Sequence, residues 1–170
     1  MKYVFDIETD GFLNQCTKVH CIVLKDIDTN EIKKLDNETA LKELEQADLI
    51  IGHNIIKFDI PVLEKFYNFK PKGKVFDTIV ATRLLYPDVK ERDFKRKGFP
   101  TNCIGRHSLK AWGYRVGEYK EAFDTDWKEY SPEMLDYCIQ DVEVTYTLYQ
   151  KILEQKYSEQ SLELEHAVAT

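Results

Sequence analysis

From Lys2 to Gly11 the chain reads KYVFDIETDG, and Tyr3, Phe5 and Ile7 alternate with Val4, Asp6 and Glu8. A period of two predicts a β-strand. Residues i and i+2 share a face of a strand, so Asp6 and Glu8 point the same way from an otherwise apolar segment. Like charges side by side in a largely buried strand are costly unless something neutralises them. The β-branched run TKVHCIVLKD predicts a second strand, DTN a turn, and EIKKLD a third strand. Tight connections between the three suggest an antiparallel meander.

The period then changes. In NETALKELEQA, Leu41, Leu44 and Ala47 recur at helical spacing, with Asn37 as the expected N-cap. The continuously apolar DLIIG predicts a buried parallel strand. DIPVLEKFYNF starts another helix, with Pro61 in its first turn. KVFDT predicts a short strand ending in a cap, and TIVATRLLY a helix stopped by Pro87. The charged stretch VKERDFKRKG, Val89 to Gly98, reads as an exposed loop or a frayed helix. HSLKAWGYRVG reads as a short helix closed by Gly113. The clearest helix is SPEMLDYCIQDVEVTYTLYQKIL, with Ser131 at its N-cap, Pro132 at its first position and Glu133 in its first turn. The tail EQKYSEQSLELEHAVAT is polar and then weakly helical. The fold class expected is α/β, a mixed sheet of three antiparallel strands followed by parallel ones, flanked by helices.

Composition narrows the class. The chain has 170 residues, enough for one domain with a proper core. Its 43% hydrophobic and 12% aromatic content indicates a globular protein. A net charge of −6, from 30 acidic and 24 basic residues, argues against a protein that coats nucleic acid by charge alone. It leaves room for an acidic cleft filled by cations. No apolar run is long enough to span a bilayer and no signal segment precedes the first strand, so a soluble intracellular domain is expected. Cys16, Cys21, Cys103 and Cys138 form no C-x-x-C pair, which fits a reduced compartment. Their spacing to His20 and His107 fits no zinc pattern.

Two later stretches answer the opening pair of acids. HNIIKFD places Asp59 after the DLIIG strand, and DYCIQD places Tyr137 and Asp141 four residues apart on one face of the long helix. Each has a plain structural reading: Asp59 as a helix cap, Asp141 as a boundary residue with a basic partner, Tyr137 as core. Only the conjunction is specific. Four acids aimed at a packed interior call for hard divalent cations with oxygen ligands, such as Mg²⁺. Two such ions, about 3.5–4 Å apart, serve phosphodiester cleavage.

FDIETDG, HNIIKFD and YCIQD resemble the three exonuclease motifs of the DnaQ-like 3′–5′ exonucleases, the DEDD group with a ribonuclease H-like fold. Tyr137 stands where one branch of that group has histidine, which places the chain in the tyrosine (DEDDy) branch. VFDT and HSLKAWGYRVGEYK are similar to the proofreading domain of phage-type family A DNA polymerases, and the resemblance runs from Lys2 to about Leu164. It implies a two-metal 3′–5′ exodeoxyribonuclease with catalytic residues Asp6, Glu8, Asp59, Tyr137 and Asp141. Asp6, Glu8 and Asp141 would hold the ion that makes the attacking hydroxide, and Asp6 would bridge to a second ion with Asp59 in its water shell. The ions would be Mg²⁺, with Mn²⁺ able to substitute. Tyr137 would orient the attacking water. Thr9, Asp10 and Gly11 would approach the terminal nucleotide, with Asn54 and Phe58 beside the substrate strand. The product would be nucleoside monophosphates.

The partners implied are a DNA 3′ end and a DNA polymerase module, in the cytoplasm of a phage-infected or bacterial cell. Residues 1–156 would form the exonuclease domain and 157–170 a tail, in which SLELEHAVAT resembles the start of the connection to that module. The chain would be either a piece of such a polymerase or an exonuclease encoded apart from it. Two other readings compete: an RNA- or oligonucleotide-trimming exonuclease, and a non-catalytic module that binds a DNA end or a polymerase. The basic run Lys90, Arg92, Lys95, Arg96 and Lys97 can hold a phosphate backbone or be merely solvated, and Arg106, Lys110 and Arg115 raise the same question. Asp77 is expected to cap the helix after VFDT, and Asp136 to face solvent.

Overall fold

The computed structural model describes residues 1–117 and 127–170. Residues 118–120, the end of the HSLKAWGYRVGEYK stretch, lie outside the described residues. Strand β1 (Lys2–Thr9) is followed by β2 (Val19–Asp26) and β3 (Ile32–Lys34), and these form the expected antiparallel meander. Asn30 takes the left-handed turn position between β2 and β3, which Asn tolerates better than most residues. Helix α1 (Asn37–Gln46) leads into β4 (Leu49–Gly52), one π-helical turn (Ile55–Asp59) and α2 (Ile60–Tyr67). β5 (Lys74–Asp77) is followed by α3 (Thr78–Leu85), α4 (Val89–Phe94), α5 (Leu109–Val116), α6 (Pro132–Leu153) and α7 (Glu159–Ala169). The sheet order is β3-β2-β1-β4-β5, with β4 parallel to β1 and β5 parallel to β4.

Strand alternation splits the core in two. Tyr3, Phe5 and Ile7 of β1, with Ile22, Leu24 and Ile50, pack on Leu41 and Leu44 of α1 and Val62 and Leu63 of α2. Val4, Val23 and Ile51 face the other way, onto Cys138, Val142 and Tyr149 of α6. Each such side chain contributes roughly 1.5–3 kcal/mol on burial. A third cluster joins Ala81, Tyr86, Val89, Trp112, Leu148, Ile152 and Leu162, and ties α3, α5 and α7 to α6. All four cysteines are buried and free. Among the described residues no helix is long and apolar enough to cross a membrane.

Several local expectations need correction. Asp36, not Asn37, holds the N-cap position of α1, while the Asn37 amide donates to the Val19 carbonyl. Gly113 lies inside α5, which ends at Gly117 with φ +80°. Of the two alternatives for the stretch from Val89, the helix holds, docked by buried residues rather than frayed. It contains α4, whose Val89 and Asp93 are buried, because α5 supplies Asp93 with an arginine, Arg115, 22 positions on. Arg115 is buried in this ion pair and so unavailable to a phosphate backbone.

Candidate active site

The parallel pairing of β1 with β4 ends at Val4 and Ile51, and β1 runs on beside β2. Asp6 and Glu8 therefore stand at the carboxyl end of the parallel strands, the edge where open α/β sheets bind ligands. Both lie on the face covered by α6. There the Cys138 thiol donates to the Asp6 carbonyl at 3.4 Å and approaches its carboxylate at 3.6 Å. Ligand atoms of Asp6, Glu8 and Cys138 all lie within 4.8 Å of one another. Burial pushes the Cys138 thiol well up, so it stays protonated and donates a hydrogen bond. One turn further along α6, Asp141 stands close enough to Asp6 for its charge to raise the Asp6 pKa.

The second approach comes from the end of β4. A Cβ on Gly52 would stand 2.2 Å from the Ile55 side chain, so the chain can fold back so tightly only with glycine. Asn54 then adopts φ +64° and the π-helical turn follows. Asp77, at the tip of β5, clamps this turn. Its carboxylate accepts the Asn54 N–H at 2.8 Å and the Ile56 N–H at 3.0 Å, and also caps α3 through the Ile79 N–H at 3.1 Å. The turn delivers Asp59 to β1, where the Ile7 main chain partly offsets the upward push on its pKa. Asp59 is 4% exposed and makes no capping bond to α2. Its Oδ2 has no hydrogen-bond partner among the described residues. The helix-cap reading therefore fails.

Electrostatics confirm the crowding. Burial first, then the charges of Asp141, Glu8 and Asp59, push Asp6 well above the ordinary aspartate range. Burial, and then Asp77, push Asp59 up likewise. Carboxylates held together at this cost are the donor set a hard divalent cation requires. The residues present fit such an ion.

Beside the acids lies a cleft of about 480 Å³ lined by Glu8, Thr9, Asp10, Gly11, Phe12, Asn54, Phe58 and Trp127. The five residues singled out for substrate contact thus surround one space. The Thr9 hydroxyl donates to the Gly11 carbonyl at 2.7 Å. The Asp10 carboxylate turns into its own loop, accepting the Thr17 hydroxyl, the Thr17 N–H at 2.7 Å and the Lys18 N–H at 3.2 Å. The Thr17 hydroxyl, above all, lowers its pKa to about 2. Tyr137 is half-buried, one helical turn before Asp141, and its ring stands edge-on to Trp127 at 5.9 Å. Asp136 is exposed, as expected.

Phe12, Trp127, Cys138 as a neighbour of Asp6, and the clamping role of Asp77 are not evident from sequence reasoning. Trp127 follows DTD in a stretch with no periodicity, and nothing local marks it. Cys138 had a signal, its position between Tyr137 and Asp141. A last feature is the tail. In α7 the His166 Nδ1–H donates to the Leu162 carbonyl at 2.8 Å, which leaves Nε2 to accept the Asp77 N–H at 2.9 Å.

Fold and site together define a ribonuclease H-like domain with an acidic centre. The family model described as 3′-5′ exonuclease, of the DNA polymerase A type, matches residues 5–156. The chain belongs to that family, the 3′–5′ exonuclease domains related to polymerase proofreading. The DNA-directed DNA polymerase of Escherichia phage T7 is 34% identical to it, over 91% of this chain and 27% of the polymerase. The chain thus spans about a quarter of that relative's length. Brucella melitensis NrnC with bound Mg²⁺ shares the fold, with TM-score 0.67 and 18% identity over 99% of this chain and 79% of that one. So does RNase D from Escherichia coli, an exoribonuclease involved in structured RNA processing, with TM-score 0.57 and 15% identity over 89% of this chain and 38% of that one.

Proposed function

We propose that this chain hydrolyses the 3′-terminal phosphodiester of single-stranded or frayed DNA, releasing nucleoside monophosphates, as the proofreading exonuclease of a replicative polymerase. The observation that carries this reading is the crowding of Asp6 by Asp141, Glu8 and Asp59 beside a cleft walled by Phe58 and Trp127. In this reading Asp6, Glu8, Asp59 and Asp141 hold two Mg²⁺ ions, for which Mn²⁺ can substitute. Bound ions supply a water nucleophile at neutral pH and offset charge on the leaving oxygen.

The chain's own residues do the positioning. The Tyr137 hydroxyl orients the attacking water by hydrogen bonding, since an ordinary tyrosine pKa of about 10 is far from that of a base at neutral pH. The Cys138 thiol, by donating to Asp6, holds that carboxylate in one orientation. Phe58 and Trp127 offer ring faces to unpaired bases, which favours frayed ends. Asn54 and the Thr9–Gly11 loop border the terminal nucleotide, with Asp10 contributing main chain rather than its carboxylate.

The 34% identity to a phage DNA polymerase favours DNA and a polymerase module as partner. The likeness to NrnC and RNase D keeps RNA trimming as the second reading. The test is a time course on a 5′-labelled single-stranded DNA, with Mg²⁺, Mn²⁺ or chelator, beside a matched RNA and an Asp6→Ala/Glu8→Ala variant. A metal-dependent ladder shortening from the 3′ end, absent in the variant and slower on RNA, is the expected result. Faster loss of RNA would move the substrate to RNA, and no shortening of either strand would sink the catalytic reading.

A further inference from the structure

Between Arg83 and Arg115 the chain carries nine Lys or Arg against three acids, although the whole chain is net −6. Six of the nine, Lys90, Arg92, Lys95, Arg96, Lys97 and Arg106, lie on α4 and in the chain between it and α5. Helix α4 is fixed by a pair of groups that are 1% and 0% exposed: Arg115 Nη2 donates to Asp93 Oδ2 at 2.6 Å and Nε to Oδ1 at 3.0 Å. The Gly105 N–H adds a third bond to Asp93 at 2.9 Å. The Arg115 guanidinium also lies over Trp112, 4.6 Å from the ring centre. A buried ion pair is a poor source of net stability compared with apolar packing. Here it sets position, seating a six-residue helix with its basic side outward.

That side is open. Lys90, Lys95 and Lys97 are exposed and make no ion pair among the described residues, whereas Arg92 is paired with Asp88 and Arg96 with Asp93. Phe94 stands among them 67% exposed. Cations interleaved with an aromatic ring are the means by which proteins follow a single strand. A series of contacts also links this surface to the cleft. Asn54 lines the cleft, and the adjoining His53 donates its Nε2–H to the His107 carbonyl at 2.7 Å. Two residues before His107, Gly105 packs against the Lys90 stem, so closely that a Cβ there would stand 3.2 Å from it.

We propose that α4, the loop from Gly105 to Ser108 and Lys110 at the start of α5 form a second nucleic-acid surface, which grips the phosphate backbone of the strand upstream of the 3′ nucleotides held in the cleft. The proposal rests on the exonuclease reading for the direction of the strand, and on the charge and contacts above for the surface itself. Short substrates fill the cleft alone, and longer ones also reach Lys90, Lys95 and Lys97.

The test uses the full chain, fluorescein-labelled oligo-dT of six and of 24 nucleotides, and excess chelator so that no cleavage occurs. Fluorescence anisotropy is recorded across a range of KCl. The Lys90→Glu/Lys95→Glu/Lys97→Glu variant is expected to bind the longer strand at least about tenfold more weakly and to lose about two from its salt slope, at about 0.7 per phosphate on single strands. Its binding of the six-nucleotide strand is expected to match the unaltered protein. Lys→Gln changes at the same positions give a smaller loss in the same direction, and circular dichroism confirms the fold. Equal loss on both lengths, or no loss on either, would overturn the proposal. Because no hydrolysis is read, the surface stands or falls separately from catalysis: a length-dependent loss in a chain that never shortens DNA keeps the surface and removes the exonuclease.

Discussion

Asp59 is held in a place that disfavours its charge, at the end of a clamped turn and against other acids. Asp59→Asn should therefore stabilise the metal-free protein. Relief of that burden raises Tm, by roughly 2–4 °C for each kcal/mol gained in a domain of this size. The same change should reduce 3′–5′ cleavage on the order of a thousandfold, the equivalent of several kcal/mol of charge stabilisation. Calorimetry in chelator and a single-turnover assay check the two halves, and a lower Tm would show that the residue is structural. Asp10 behaves oppositely. Its folded pKa of about 2 lies below the unfolded value near 3.9, so its stabilisation is present above the latter and is lost as pH falls towards 2. Asp10→Asn should be less stable than the parent at pH 7, and the gap in urea midpoints should close by about pH 2. The acids themselves were visible in the sequence because a strand's period of two is strict. The engagement of the Asp10 carboxylate with Thr17 and Lys18 was not, since it depends on how a loop closes.

At the scale of elements, the turn carrying Asn54, Phe58 and Asp59 hangs from Asp77, and Asp77 is met from behind by His166 of α7. His166→Phe keeps a ring beside Phe76 but removes the acceptor for the Asp77 N–H. We expect kcat to fall roughly tenfold, the lower range for residues that orient ligand-bearing groups, with KM changed less and circular dichroism unchanged. A fall confined to KM would argue against a positioning role. The elements themselves were largely legible where local signals are strong. Ser131, Pro132 and Glu133 announced α6, and the Ser131 hydroxyl does accept the Met134 N–H. The π-helical turn was not legible, and α4 was legible only as one of two alternatives. One depends on a clamp from β5, the other on an arginine more than twenty positions away.

For the whole molecule, the buried Asp93–Arg115 pair joins α4 to α5 and holds the third core cluster together. Removing one partner leaves a buried charge uncompensated, so Arg115→Ala should cost about 3–5 kcal/mol in denaturant unfolding. Asp93→Leu/Arg115→Met should recover much of that loss. Recovery with weakened binding of long DNA would separate the pair's positional role from stability.

The sequence by itself determined the alternating strand with Asp6 and Glu8, the meander, the long helix with Tyr137 and Asp141, and the motif set that marks the family. These follow from short-range periodicity and capping, which a chain carries wherever it folds. Tertiary structure alone decided that Asp59 joins the others rather than capping a helix, that Trp127 meets Tyr137, and that Arg115 is buried while Lys90, Lys95 and Lys97 are not. Those outcomes depend on burial and on partners distant in the chain. A charged residue reads the same in sequence whether its counter-charge is water, a cation, or a carboxylate folded in from elsewhere.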